Sequence, residues 1–152
     1  KLEMVERRWA TTRKHKGRRR RRNRKNRRYS AAHRGLGLVY GKENEFQMAL
    51  HAMGKAKDDA SSGEQKALAY VGFMQIYTLR KNSGWLEQVE ARYKDALRWK
   101  TDIPEAYFYM GMAYKNADRI ADAEQSFNQV IKLNGNLVIE AKKELTALKN
   151  PK

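Results

Sequence analysis

The sequence predicts an all-α protein: a right-handed α-α solenoid of about three helix pairs closed by a C-terminal capping helix. Three observations carry that expectation. First, His33, Leu36, Gly37, Tyr40, Phe46, Ala49, Met53 and Ala56 recur as Tyr107, Met110, Gly111, Tyr114, Ile120, Ala123, Phe127 and Val130, every pair 74 residues apart. An interval of this size holds two helix-turn-helix units of about 34 residues with a few residues to spare. Second, Tyr107, Met110, Gly111 and Tyr114 fall at i, i+3, i+4 and i+7, and Ile120, Ala123 and Phe127 in the following segment fall at i, i+3 and i+7. Each such set makes one apolar stripe on a helix. Third, caps and breakers stand where helices must begin and end.

The boundary signals fix the elements in turn. Asn44 with Gln47 reads as a capping box opening the second helix of the first pair, and Asp102-Ile103-Pro104-Glu105 as an acceptor cap, a first-turn proline and a capping-box glutamate. Asn134-Gly135 supplies a left-handed stop, after which Val138, Ala141, Leu145 and Leu148 form the single stripe of a capping helix that ends before Pro151. Lys142, Lys143 and Glu144 lie off that stripe, as a terminal solubilising helix requires. Units of about 30–62, 63–101 and 102–135 follow, with the capping helix at 136–149. In the middle unit Val89, Tyr93 and Ala96 mark the second helix. The first helix is compatible with Tyr70, Phe73 and Tyr77 or with Leu68, Val71 and Gly72 at its key positions. The spare residues are expected to lengthen the turn at 81–85 and the connection at 60–63.

Charge divides the chain in two. Of the formal +16, residues 1–28 carry +13, and 29–152 only +3, so a basic N-terminal segment, or a degenerate helical pair, precedes a nearly balanced domain. Leu2, Met4, Val5, Trp9 and Ala10 give that segment a few apolar anchors for docking on the first pair. The longest mostly apolar run, 67–79, falls short of the roughly 20 residues that span a bilayer. The N-terminus lacks the apolar stretch and cleavage site of a secretory signal and starts at Lys1, which points to a processed or excised chain. With no cysteine there is no disulfide framework, thiolate metal site or cysteine nucleophile; the compartment stays open, with the cytoplasm favoured.

Leu36-Gly37-x-x-Tyr40 followed by Ala49, Met53 and Ala56, and above all Tyr107, Met110-Gly111-x-x-Tyr114, Ala123 and Phe127, resemble tetratricopeptide (TPR) repeats over about residues 30–148. The small residues let paired helices approach, and the aromatics fill the gap to the next pair. The resemblance implies a concave surface, lined by the first helix of each pair, that holds an extended peptide or a partner helix. Matched by position, its residues here are Arg34 and Leu38 in the first unit and Glu105, Phe108, Met112 and Lys115 in the third, with a contribution from 69–79. A groove apolar at its centre and mostly basic at its edge suits a protein or peptide partner with apolar anchors and acidic flanks. The TPR variant that grips a C-terminal carboxylate uses a Lys and Asn set. Here Leu38 stands where an asparagine is expected and Glu105 where a lysine is expected, which argues against a chaperone-tail receptor.

Catalytic constellations are missing. His15, His33 and His51 form no metal-binding pair, and no catalytic residue, metal or cofactor is expected. His33 occupies the slot that Tyr107 fills and so reads as packing. Gly35-Leu36-Gly37 lies inside a helical pattern with no preceding strand and is not a phosphate loop. Glu87 with Glu90, and Asp58 with Asp59, read as solvated helix-face charges rather than acid/base pairs. The alternative function lies in the tract Arg13–Arg28, where twelve of sixteen residues are basic, including Arg18, Arg19, Arg20, Arg21, Arg22, Arg24, Lys25, Arg27 and Arg28. It resembles arginine-rich RNA-binding motifs in composition. Such a tract binds phosphates of RNA or DNA by counterion release, with affinity that falls steeply as salt rises.

Overall fold

The computed structural model describes residues 28–150, together with Arg18 and Arg21. The remainder of the arginine tract, His15 and the apolar anchors Leu2, Met4, Val5, Trp9 and Ala10 lie outside the described residues. Arg18 and Arg21 are helical and exposed. Every element among the described residues is a helix. These are α1 (28–42), α2 (Phe46–Asp58), α3 (Gly63–Arg80), α4 (Trp85–Trp99), α5 (Pro104–Asn116), α6 (Ile120–Leu133) and α7 (Val138–Lys149). None of them is long and apolar enough to cross a membrane.

Consecutive helices pack on one another, and α5 also touches both α3 and α4. Within pairs, glycines set the distance. A Cβ on Gly111 would stand 2.8 Å from the Phe127 ring, and one on Gly37 would stand 2.9 Å from the Met53 methyl. Met53 also fills the space against Gly72 of α3, so one side chain closes both the first pair and its junction with the second. Ser30, fully buried, donates its hydroxyl to the Ala56 carbonyl at 2.8 Å and ties α1 to the end of α2.

The register of α3 is the one carried by Tyr70, Phe73 and Tyr77. Tyr70 and Tyr77 pack with α4 and α5 around Val71, Met74, Val89 and Ala96, while Phe73 faces back onto Ala49, Met53 and Ile76. Gly72, the key residue of the other register, meets Met53 of the preceding pair and not α4. Repeated positions then fall 37 residues apart: Leu36, Phe73 and Met110; Tyr40, Tyr77 and Tyr114. Leu36 is 45 % exposed where Met110 is 2 % exposed, because α1 has no described helix outside it. The spare length is mostly helix: α3 has 18 residues against 13 in α5, and only the turn at 81–84 takes part of it as loop.

Two capping expectations are corrected. Asn44 does not cap α2. It sits at φ 64°, and the chain closes behind it through Glu45 N–H to Tyr40 O at 2.8 Å. Asp118, 74 residues on, does the same at φ 60°, with Arg119 N–H to Tyr114 O at 2.9 Å. Asn and Asp tolerate this left-handed conformation better than other side chains do, so the shared turn, not a cap, explains both residues. Asp102 makes no cap either; Ile103 occupies that position of α5 without a side-chain bond, and Pro104 alone opens the helix. A side-chain cap is found on α3, where Ser62 Oγ accepts from Gln65 N–H at 3.2 Å while Gln65 Oε1 accepts from Ser61 N–H at 2.9 Å. Ser62→Ala is expected to cost about 1 kcal/mol, read as a lower midpoint in urea unfolding. The left-handed stop after α6 is taken by Asn134 at φ 52°.

Candidate functional site

The first helices α1, α3 and α5 lie side by side and line a groove of about 460 Å³. Two rows of side chains build it, each stepping 37 residues per helix: Leu38, Gln75 and Met112, then Lys42, Leu79 and Asn116. Thr78, Lys81 and Tyr109 complete the lining. The floor is largely apolar, Leu79 is 49 % exposed, and the lining has two lysines and no acidic residue. Thr78 donates its hydroxyl to Met74 O and Asn116 donates its amide to Met112 O, each at 2.8 Å, so these two polar groups are engaged by their own helices.

Of the residues singled out from sequence, Leu38 and Met112 line this groove. Arg34 is half-buried, and its Nε is enclosed without a hydrogen-bond partner among the described residues. Burial lowers its pKa, while the carboxylates of Glu105 and Glu64 raise it. Arg34 and Glu105 thus share one electrostatic neighbourhood, and burial, followed by the charge of Glu105, raises the pKa of the Tyr109 hydroxyl. Phe108 and Lys115 are directed elsewhere. Phe108 is 8 % exposed in the core with Ala123, Phe127, Val130 and Ala141, edge-on to Phe127 at 5.6 Å. Lys115 Nζ pairs with Glu144 Oε2 of α7 at 2.7 Å. The reason is the capping helix, which covers α5 where a further unit would lie and draws both side chains under itself. Glu144 is accordingly turned inward, not left off the packed face.

Lys42, Gln75, Thr78, Leu79, Lys81, Tyr109 and Asn116 were not singled out, although Gln75, Thr78 and Leu79 lie in the stretch 69–79. The signal was present: halving the 74-residue offset to 37 carries Leu38 to Gln75 and Met112, and Lys42 to Leu79 and Asn116. His33 lies 3.3 Å from Asp59 and borders a shallow cleft between α1 and α2. Among the described residues no cluster of His, Asp or Glu could hold a metal ion.

A second cleft, of about 340 Å³, opens between α4, α5 and α6 and is lined by Tyr93, Tyr107 and Tyr114. Two of its polar groups serve the fold: Tyr107 donates its hydroxyl to Thr101 O at 3.0 Å, and Asp122 pairs with Arg119, which lies over Tyr114 and also reaches Glu90. The Tyr93 hydroxyl is pushed up to about 12, first by burial and then by Tyr107 and Tyr114. A folded-state value above the ordinary 10 means that this contribution to stability is complete below pH 10 and lost as pH rises through about 12. Melting between pH 9 and 12 is expected to show a decline that is shallower in Tyr93→Phe.

Residues 104–137 match the tetratricopeptide repeat family. Among curated protein sequences none matches the chain. Solved structures that share its fold include three TPR domains. The first TPR of Spaghetti (RPAP3), bound to the HSP90 peptide SRMEEVD, is 18 % identical with a TM-score of 0.59, over 81 % of this chain and 92 % of that one. The first TPR domain of human RPAP3 is 18 % identical with a TM-score of 0.63, over 80 % and 90 %. The second human RPAP3 TPR domain, in complex with the HSP70 peptide SGPTIEEVD, is 18 % identical with a TM-score of 0.51, over 84 % and 98 %. The fold and its groove define an α-helical repeat solenoid. Its unit at 104–137 is a tetratricopeptide repeat, and the chain has the fold of TPR domains.

Proposed function

We propose that this protein is a non-enzymatic interaction module whose concave groove binds a peptide or a partner helix with apolar anchors and acidic flanks. The observation that carries the reading is the groove itself, with its apolar floor between α1, α3 and α5 and lysines at its edge. Apolar side chains of a guest gain by leaving water there, and Lys42 and Lys81 favour acidic neighbours of those anchors. The peptides held by the structural neighbours, SRMEEVD and SGPTIEEVD, combine Met or Ile with adjacent glutamates and so support this chemistry. In this reading residues 29–152 are the interaction domain and 1–28 an appended basic segment.

The test uses Leu79→Glu with Lys42→Glu. Both positions are exposed, so the fold is retained. Binding of fluorescent peptides that carry Leu or Met beside Glu is expected to weaken at least about tenfold, the equivalent of about 1.4 kcal/mol. Unchanged anisotropy titrations for the double variant would overturn the groove as the binding surface.

A further inference from the structure

We propose that the open cleft between α1 and α2 is the seat of this chain's own residues 2–10, with Leu2, Val5 and Trp9 in the place that α4 takes in the third unit and Glu3 and Glu6 toward His51 and Lys55. The cleft shares no lining residue with the concave groove, and its role is independent of what the groove binds.

This cleft, of about 320 Å³, repeats the tyrosine cleft of the third unit. His33, Leu36, Tyr40, His51 and Lys55 line it where Tyr107, Met110, Tyr114, Gln125 and Gln129 stand 74 residues on. The third unit's cleft has one wall more: Tyr93 of α4, edge-on to Tyr107 at 5.8 Å. With α4 in place, Met110 is buried against Val89 and Ala96. Its counterpart Leu36 is open, and so are Val39 and Met48. Among the described residues no helix takes the place of α4 here. Three neighbouring apolar side chains left in water favour a covering apolar segment.

Residues 2–10 lie outside the described residues; their sequence supplies what the cleft lacks. Leu2, Val5 and Trp9 fall at i, i+3 and i+7, the spacing of one helical stripe, and Trp9 offers an aromatic ring for the place of Tyr93. The cleft lining holds His33, His51 and Lys55 and no acidic residue, and His33 already reaches Asp59. Glu3 and Glu6, the two acidic residues among 1–28, flank the stripe three positions apart and answer that charge. A second copy would bring the same acid-free lining to the contact and give Lys55 and His51 no counter-charge. Reach is no obstacle. Seven extended residues span roughly 23–25 Å, more than the length of the 13-residue α2 at about 20 Å, and 17 residues separate Ala10 from Arg28. The tether also holds the segment at a high effective concentration, so a short stripe can compete with molecules free in solution.

The full chain has no cysteine, so paired substitutions report proximity without a background. Under mild oxidation of a dilute sample, Glu6→Cys with Lys55→Cys is expected to close a disulfide within one chain at least about tenfold faster than Glu6→Cys with Lys143→Cys, a control on the exposed side of α7. Non-reducing gels and peptide mass spectrometry separate bonds within a chain from bonds between chains. In urea unfolding of the full chain, Trp9→Ser is expected to lower the folding equilibrium constant about tenfold. In a Leu36→Lys background, where the seat is already lost, it is expected to change little. Leu36 and Lys55 are exposed, so neither substitution disturbs the first pair itself. Equal rates for the two cysteine pairs, or additive effects of Trp9→Ser and Leu36→Lys, would overturn the proposal. Disulfides formed only between chains would assign the face to a second copy, and an unchanged midpoint in Trp9→Ser would leave it to another molecule; either result overturns it as well.

Discussion

Replacing Gly111 with leucine is expected to leave the chain unfolded. At this position a bare Cβ already falls 2.8 Å, 2.9 Å and 3.0 Å from three carbons of the Phe127 ring, and Phe127 is fully buried. A leucine must either push α5 off α6 or expel the ring. Expulsion alone costs as much as emptying the seat of a core phenylalanine, about 3–5 kcal/mol, before any backbone shift. Domains of this size are stable by only about 5–15 kcal/mol, and Phe127 also contacts Phe108 edge-on, so the damage spreads through the third pair. Loss of the cooperative thermal transition by circular dichroism checks the expectation. A Gly111→Leu variant that melts like wild type would show that the α5–α6 approach is not set by this residue.

Met53→Ala should be the next most damaging change. The side chain is fully enclosed and is the near neighbour of two glycines on different helices, Gly37 and Gly72. Truncation leaves a cavity bounded by α1, α2 and α3, at about 2–5 kcal/mol. The geometry also fixes a sign. Two of the three atoms that a Cβ on Gly37 would crowd belong to Met53, at 2.9 Å and 3.3 Å. Gly37→Ala is therefore expected to gain nothing or to destabilise wild type, and to be more favourable by comparison in Met53→Ala, where only the Ala49 carbonyl oxygen at 3.1 Å still crowds the Cβ and part of alanine's helix preference of up to about 1 kcal/mol over glycine appears. Urea unfolding of the four members of this cycle measures the coupling directly; simple additivity would contradict the contact.

Most of the architecture was legible because it rests on residues that repeat. Tyr40 and Tyr114, or Gly37 and Gly111, announce equivalent positions whatever lies between them. The middle unit resisted because Met74 stands where the other units have glycine and Gly72 stands two positions earlier, facing the preceding pair. Spacing could not distinguish a glycine that closes its own hairpin from one that closes the junction. The groove was legible only in part. Leu38 and Met112 were placed by position, but Phe108 and Lys115 depend on α7, whose docking on α5 no local spacing reveals. Gln75 escaped notice because a polar residue in an otherwise apolar row breaks the pattern that marks the row. The turn residues Asn44 and Asp118 show the same limit: an asparagine before a helix signals a cap in sequence, and only the backbone angle shows that it ends the preceding helix instead.

The two outer faces of the described helices differ in kind. At one, α7 presents exposed lysines and holds Lys115 through Glu144; at the other, Leu36, Val39 and Met48 are open. Growth of a filament from identical subunits requires that head fit tail, so that every addition recreates the acceptor for the next. A lysine-rich face with one open aliphatic side chain, Ile139, is a poor match for the greasy trio of Leu36, Val39 and Met48, so head-to-tail growth through these two faces is disfavoured.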